Sequence, residues 1–285
     1  GGEELLCGDG WDNDCDGLSD CADPDCDGLP CSDDLLCWSG RCQGESNTLA
    51  WARGAGSEGY DQGNAVALLP DGAVLAVGYF DGTVTFGEGE PRAVTLVSRG
   101  DEDAFLVRYN PDGNLDWVRQ IGGGGWDKGF ALAALPDGSA VVSGKFTQYI
   151  TFGEGEPGET TIVAGGYYDL FLARYNPDGT LAWARRDGSG LEECGQGLAL
   201  LPDGSIALTG FFERSSIFGE GEENETHLEA QGEVDLFVAR YTPEGRLLWV
   251  TGGGGSFDDK GSSVAILDDG SLLVTGDTDS ATATF

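Results

Sequence analysis

From Thr48 onward, short apolar runs alternate with polar residues and are cut at regular intervals by turn formers. Residues 169–175, Asp-Leu-Phe-Leu-Ala-Arg-Tyr, put Phe171 and Tyr175 on one face of an extended chain. Asn176-Pro177-Asp178-Gly179 then turns, and Leu181 and Trp183 follow on a second strand. Gly197–Leu201 runs into Pro202-Asp203-Gly204 and returns as Ser205–Gly210, a second hairpin. Thr151–Glu156 and Thr160–Val163 predict an extra hairpin or strand extension between the second and third strands. No segment sustains a 3.6-residue apolar period, so helices should be scarce.

The pattern repeats. Trp51, Trp117, Trp183 and Trp249 stand 66 residues apart, as do Pro70, Pro136 and Pro202, with Asp268 in the fourth place. Phe86, Phe152 and Phe218 keep the same step, and Phe285 arrives one residue late. Four strands per period, one carrying a Trp for packing between units, predict an all-β fold: a β-propeller-type array of about 3.6 repeats of 66 residues. The units are 48–113, 114–179, 180–245 and a partial 246–285. Because propellers close with roughly four to eight blades, the expectation is a longer polypeptide or closure by another chain, with exposed edge strands as it stands.

Residues 1–47 have a different texture. They hold ten Asp, three Glu and one Arg, with seven of the eight Cys: Cys7, Cys15, Cys21, Cys26, Cys31, Cys37 and Cys42. Such a segment buries too little apolar area to fold alone, so bridges or ions must hold it. The cysteine spacing suits disulfides in an oxidising compartment rather than a cytosolic metal cluster, which places the protein outside the cell or on its surface. The chain starts Gly1-Gly2-Glu3 without a leader, as a mature form or excised fragment does. Cys31, Cys37 and Cys42 predict a small bridged knot. Cys194, at a position where the other repeats have Gln62, Lys128 and Lys260, reads as a loop residue that either pairs with the seventh of these cysteines or stays a free thiol.

The Asp spacing carries the strongest chemical signal. Asp12-Asn-Asp14-Cys-Asp16-Gly17-Leu18-Ser-Asp20-Cys-Ala-Asp23 places acids on alternate positions, then a Gly for a sharp turn, then two further acids. Calcium needs six to eight hard oxygens, which this spacing lets converge. Asp12, Asp14 and Asp16 are the candidate side-chain ligands, Leu18 contributes its carbonyl, Asp20 binds directly or through water, and Asp23 closes the loop. A poorer second copy uses Asp23, Asp25 and Asp27, with Asp33 or Asp34 to close it, and Asp23 would bridge two ions if both filled. The closing residue is not the bidentate Glu of an EF-hand, and neither flank looks helical.

Two resemblances follow from these residues. The elements Asp-x-x-x-x-Arg-Tyr-Asn-Pro-Asp-Gly, Leu-x-Trp, Leu-Pro-Asp-Gly-Ser and Thr-x-Thr-Phe-Gly resemble the SBBP-type bacterial β-propeller repeats, across Thr48–Phe285. That resemblance implies a propeller used for presentation or binding in a large extracellular protein, with no shared catalytic residues. Asp12–Asp20 resembles thrombospondin type-3 repeats, which implies calcium, and the MopE-like motif, which has been associated with copper. Copper prefers His, Met or thiolate; the chain has no Met and a single His, His227, so calcium is the expected ion.

Charge narrows the partners. With 50 acidic and 15 basic residues the formal charge is -35, which disfavours nucleic acid and anionic membrane surfaces, and no apolar run is long enough for a spanning helix. Gly122–Gly125 and Gly252–Gly255 lack a following Lys-Ser/Thr and are not phosphate loops. Asp61, Asp127, Glu193 and Asp259, each two residues before a Gly, read as turn caps rather than a channel lining. His227 reads as a surface residue, and Asn224-Glu-Thr226 fits a glycosylation acceptor. The expectation is therefore a non-catalytic extracellular or cell-surface calcium-binding propeller that meets a protein or polysaccharide. The alternative is the propeller scaffold of a secreted enzyme, a hydrolase or quinone-type dehydrogenase.

Overall fold

The computed structural model of the chain describes residues 30–32, 35–38, 41–44, 49–188, 190–282 and 284. It divides into two compact units, Gly1–Ala52 and Arg53–Phe285. In the first, β1 (Pro30–Ser32), β2 (Leu35–Trp38) and β3 (Arg41–Gly44) form a three-stranded antiparallel sheet, with Cys37 in register with Cys42. The predicted ligands Asp12, Asp14, Asp16, Leu18, Asp20, Asp23, Asp25, Asp27 and Asp34 lie outside the described residues.

The second unit is all β. Its first sheet is β4 (Gln62–Leu68), β5 (Val74–Phe86), β6 (Val94–Tyr109) and β7 (Leu115–Gly124). The second is β8 (Asp127–Ala134), β9 (Ala140–Phe146), β12 (Asp169–Tyr175) and β13 (Leu181–Asp187), while the intervening hairpin β10 (Tyr149–Phe152) and β11 (Thr160–Val163) is hydrogen-bonded to the first sheet through β7. The third is β14 (Glu193–Leu200), β15 (Ile206–Phe218), β16 (Thr226–Tyr241) and β17 (Leu247–Gly253), and β18 (Asp259–Ile266) with β19 (Leu272–Thr278) begins a fourth. These are three propeller-type blades and half of another. Each sheet closes on a Trp strand, so a blade runs from one sequence unit into the next.

The predicted extra hairpin is present: Phe152 pairs with Thr160 and Ile150 with Ile162. In the first and third blades the same extension is continuous with the second and third strands, and in the second blade it breaks away and β10 also pairs with β7. The residue at its base is left-handed in all three blades: Gly82 (φ 74), Gln148 (φ 55) and Arg214 (φ 59). A side chain with a Cβ is disfavoured there. Gln148→Gly and Arg214→Gly are therefore each expected to raise unfolding free energy by about 0.5–1 kcal/mol in urea titrations, because the strain relieved exceeds the added chain entropy.

Both faces of the second blade are buried, because successive residues of a strand point to opposite sides and a neighbouring blade covers each. Val142, Ile150, Phe152, Phe171, Ala173 and Tyr175 of the second blade pack on Leu75, Val77, Leu106 and Ile121 of the first. Val141, Leu170 and Leu172 point the other way, onto Leu208, Phe212, Phe237 and Tyr241 of the third. The inner strands β4, β8, β14 and β18 lie side by side, and the Asn64 amide donates to the Gly129 carbonyl at 2.7 Å.

Recurring polar straps bind blade to blade. The Trp117 indole donates to Pro177 O and the Trp183 indole to Pro243 O, both at 3.1 Å, so each Trp anchors the third-strand turn of the following blade. Gly179 and Gly245 in those turns are left-handed, and a Cβ on either would lie 2.8 Å from the indole. The second Glu of each Gly-Glu-Gly-Glu element reaches back. Glu90, Glu156 and Glu222 accept the backbone N–H of Leu115, Leu181 and Leu247 at 2.6–2.7 Å and face Arg53, Arg119 and Arg185 at 3.3, 3.5 and 2.7 Å. These arginines and glutamates all stand on the 66-residue step.

Candidate functional site: the blade end where the inner strands begin

Two sets of carboxylates recur at this end of the blades, all buried except the exposed Asp61. The first starts the inner strands. Asp61 accepts the Ser57 N–H at 2.5 Å, Asp127 the Gly123 N–H at 2.7 Å, Glu193 the Gly190 N–H at 3.3 Å and Asp259 the Gly255 N–H at 2.7 Å. The second lies on the third strands, at the start of β12 and within the longer β6 and β16: Asp103 accepts Arg99 N–H and Gln120 Nε2, Asp169 accepts Gly165 and Gly166 N–H, and Asp235 accepts Gln231 and Gly232 N–H. Each acid accepts a backbone N–H from a residue three or four positions before it. Their oxygens are directed at backbone donors rather than at a common centre. Among the described residues no group of three or more His, Cys, Asp or Glu converges to hold a metal.

Burial and hydrogen-bond donors together set the direction in which each carboxyl shifts. Burial pushes the Asp127 carboxyl up to about 9; Gly123 N–H opposes this and the neighbouring Asp103 adds to it. Burial also raises Asp103, against the hydrogen bond from Gln120. At the equivalent Asp259, burial acts in the same direction, yet the hydroxyls of Thr278 and Ser280 with the Gly255 N–H outweigh it and lower the carboxyl. Phe146 and Gln148 stand at those two hydroxyl positions in the second blade.

The four-glycine run is explained by close approach at this end. A Cβ on Gly123 would lie 2.1 Å from Tyr149 O, and one on Gly124 2.8 Å from the Tyr149 ring. The run is the bed on which β10 lies.

Lysines bridge the blades here. Lys128 Nζ stands 4.3 Å over the Tyr79 ring and beside Glu102, and Lys260 Nζ 4.8 Å over Phe211. Between the second and third blades the roles are exchanged, with Lys145 at the aromatic position and Cys194 at the lysine position. Lys145 Nζ lies 4.1 Å over Tyr168 and 2.6 Å from Glu192. Cys194 is thus not a loop residue, as its polar counterparts suggest, but part of β14, 1% exposed and unbonded. Burial pushes its thiol up to about 12. Reactive cysteines need thiolate character and access, and this one has neither. Thiol titration of the folded chain is expected to leave Cys194 unmodified, with one further thiol appearing in denaturant; modification at the native rate of an exposed cysteine would contradict its placement.

What this end offers to solvent is aromatic. Trp126 (37% exposed) and Tyr167 (60%) flank Tyr168, whose ring centroid lies 4.9 Å from Tyr167 and 6.4 Å from Trp126, and Tyr149 on β10 is 44% exposed. Sequence reasoning did not single these residues out, because the group is not kept by the repeat: Tyr60 stands one period before Trp126, but Glu192 and Asp258 occupy that position in the later units. Departure from the 66-residue step was the available signal. His227 sits on β16, on the extension hairpin, with its side chain largely exposed and 3.1 Å from Glu225.

Residues 94–116 and 158–181 match the family described as "Domain of unknown function (DUF5122) beta-propeller". Both stretches include third-strand residues. The chain is 21% identical over 283 residues to the "Uncharacterized WD repeat-containing protein L264" of Acanthamoeba polyphaga mimivirus, covering 85% of this chain and 20% of that protein. The chain therefore spans about a fifth of that relative's length. A crystal structure of a protein of unknown function from Bacteroides caccae aligns with 75% of this chain and 53% of its own at 14% identity and a TM-score of 0.36, too distant to bear on the fold. The family match and the WD-repeat relative agree with the blades described above: the second unit is a β-propeller-type repeat array.

Proposed function

We propose that this chain is a non-catalytic extracellular or cell-surface module that binds a protein or polysaccharide through the loop end of its blades, and that its acidic N-terminal segment binds calcium. The observation that carries the reading is the division of labour at that end. The repeated carboxylates are spent on backbone caps, while Trp126, Tyr149 and Tyr167 face solvent. A catalytic acid must reach a substrate atom, and buried caps are poorly placed for that. Aromatic side chains that are apolar on one face and polar at the tip are what binding surfaces use. The WD-repeat relative agrees with an interaction role. The SBBP-type resemblance and the cysteine-rich segment favour an extracellular setting, and the Asp12–Asp23 spacing favours calcium over copper.

Retention of the full chain on insoluble cellulose, chitin and peptidoglycan, and on protein extracted from a cell surface, tests the surface. Retention on one of them that falls at least about tenfold in Trp126→Ala/Tyr167→Ala is expected for an aromatic contact of hot-spot strength. Retention unchanged by both substitutions would place the surface elsewhere, and turnover of a retained polymer would move the reading to an enzyme.

A further inference from the structure

The rings beside Tyr168 form a corner rather than a flat surface, and that geometry narrows the partner; the inference rests on the binding reading proposed above. Asp127 and Asp169 flank Phe146 in the second blade's sheet, so Trp126 and Tyr168, one residue before each, leave the blade at the same edge. Tyr167 stands at 83° to Tyr168 with ring centroids 4.9 Å apart, and Trp126 is tilted by 38° at 6.4 Å. A sugar ring stacks by laying one face flat on an aromatic face, so a polysaccharide needs rings that are coplanar or in parallel steps. Perpendicular rings instead set their faces as two walls, and a compact cation can touch both.

Cations are already held at this end. Lys145 Nζ lies over the Tyr168 ring and pairs with Glu192, as Lys128 lies over Tyr79 beside Glu102. Among the described residues no Lys or Arg lies over Trp126 or Tyr167, and both rings face solvent.

The local charge has the matching sign. Burial, Tyr167 and the carboxylates of Glu192, Glu102 and Asp101 push the Tyr168 hydroxyl up to about 12. Lys145 and Lys128 neutralise Glu192 and Glu102, which leaves Asp101. Asp101 is exposed and fixed through its N–H, which donates to Gly125 O at 2.8 Å; among the described residues its carboxylate meets no Lys or Arg. At longer range the formal charge of -35 draws a cationic partner to the chain.

We propose that the corner of Trp126, Tyr167 and Tyr168 receives an arginine or lysine side chain of a basic partner protein, its cation on the open aromatic faces and its charge answered by Asp101. The rings would select a cation over a neutral group of the same shape, and the carboxylate would steer it in.

N-acetyl-arginine methylamide and its neutral citrulline twin, titrated into the full chain and read by saturation-transfer NMR on the ligand, test this. Saturable binding of the arginine compound is expected, about fivefold or more tighter than that of the citrulline compound. Trp126→Leu/Tyr167→Leu keeps the net charge and an apolar contact but removes the rings, so it should abolish that preference. Asp101→Asn should weaken the arginine compound several-fold, whereas Asp112→Asn, which removes one charge from the exposed turn after β6, should leave it unchanged. No saturable binding, equal binding of the two compounds, or a preference that survives the double substitution would each overturn the inference. The binding reading fails separately: a polymer retained through Trp126 and Tyr167 without any arginine preference would keep the surface and make its ligand a polysaccharide.

Discussion

Phe171→Ala is expected to destabilise the chain by about 3–5 kcal/mol, the cost of a large cavity in a core that cannot collapse. Phe171 is fully buried, its ring lies 5.5 Å from Phe152 in an edge contact, and it fills the notch at Gly144 between the first and second blades. The same substitution at Phe105, one period earlier, is expected to cost only about 1–2 kcal/mol, because a partly exposed ring loses less buried area. Phe105 lines an open cavity of about 210 Å³ with Phe80, Val84, Phe86, Val107 and Tyr109, on the face of the first blade that corresponds to the packed face of the second. Urea titration of the two variants measures the difference. Equal losses would mean that the first blade's face is as well packed as the second's.

Asp127→Asn is expected to stabilise the chain by a few kcal/mol at pH 8, with the gain shrinking toward acid. The native carboxyl holds its proton up to about pH 9, whereas the unfolded chain releases it near pH 3.8. The folded state therefore binds more protons between those values. The stabilisation of the protonated form is complete below the unfolded value and is lost as pH rises through the folded one. Asn keeps a carbonyl to accept the Gly123 N–H and does not titrate. Asp259→Asn should do the reverse. That carboxyl is held below its ordinary value by the donors of Thr278, Ser280 and Gly255 against the opposing effect of burial, so its contribution is present above pH 3.8 and lost as pH falls through the native value. Removing its charge should destabilise at neutral pH. Thermal melts of both variants from pH 4 to pH 9 check the opposite signs, which no generic effect of neutralising a buried acid would produce.

Much of the second unit was legible because its period is strict. The Pro-Asp-Gly turns, the Trp strand and the Thr-x-Thr-Phe-Gly extension stand on a 66-residue step, and a propeller blade reuses the same contacts at the same step. The phase was less visible, since Trp117 opens a sequence unit but closes a sheet. Sequence position also misplaced Cys194: its neighbours in register are Gln62, Lys128 and Lys260, and only the exchange with Lys145 puts a thiol there without a charge to bury. The aromatic group around Tyr168 was illegible to any search for repeats, because it exists in one blade alone. The short sheet of β1, β2 and β3 carries no alternating apolar pattern, and nothing but its turn spacing announces it. The turn acids were legible as caps. Their opposite pKa shifts were not, since these depend on how deeply each acid is packed and on hydroxyls that lie about 20 residues away in sequence but adjacent in the sheet.

We propose that carboxylates of the N-terminal segment, rather than those of the blades, hold calcium. Isothermal titration of calcium into the full chain, disulfides intact and previously stripped with chelator, tests it most directly. At least one binding event is expected, which Asp14→Ala/Asp16→Ala abolishes and which Asp127→Asn and Asp259→Asn leave unchanged. No heat from the native chain, or binding lost only with the blade substitutions, would contradict it.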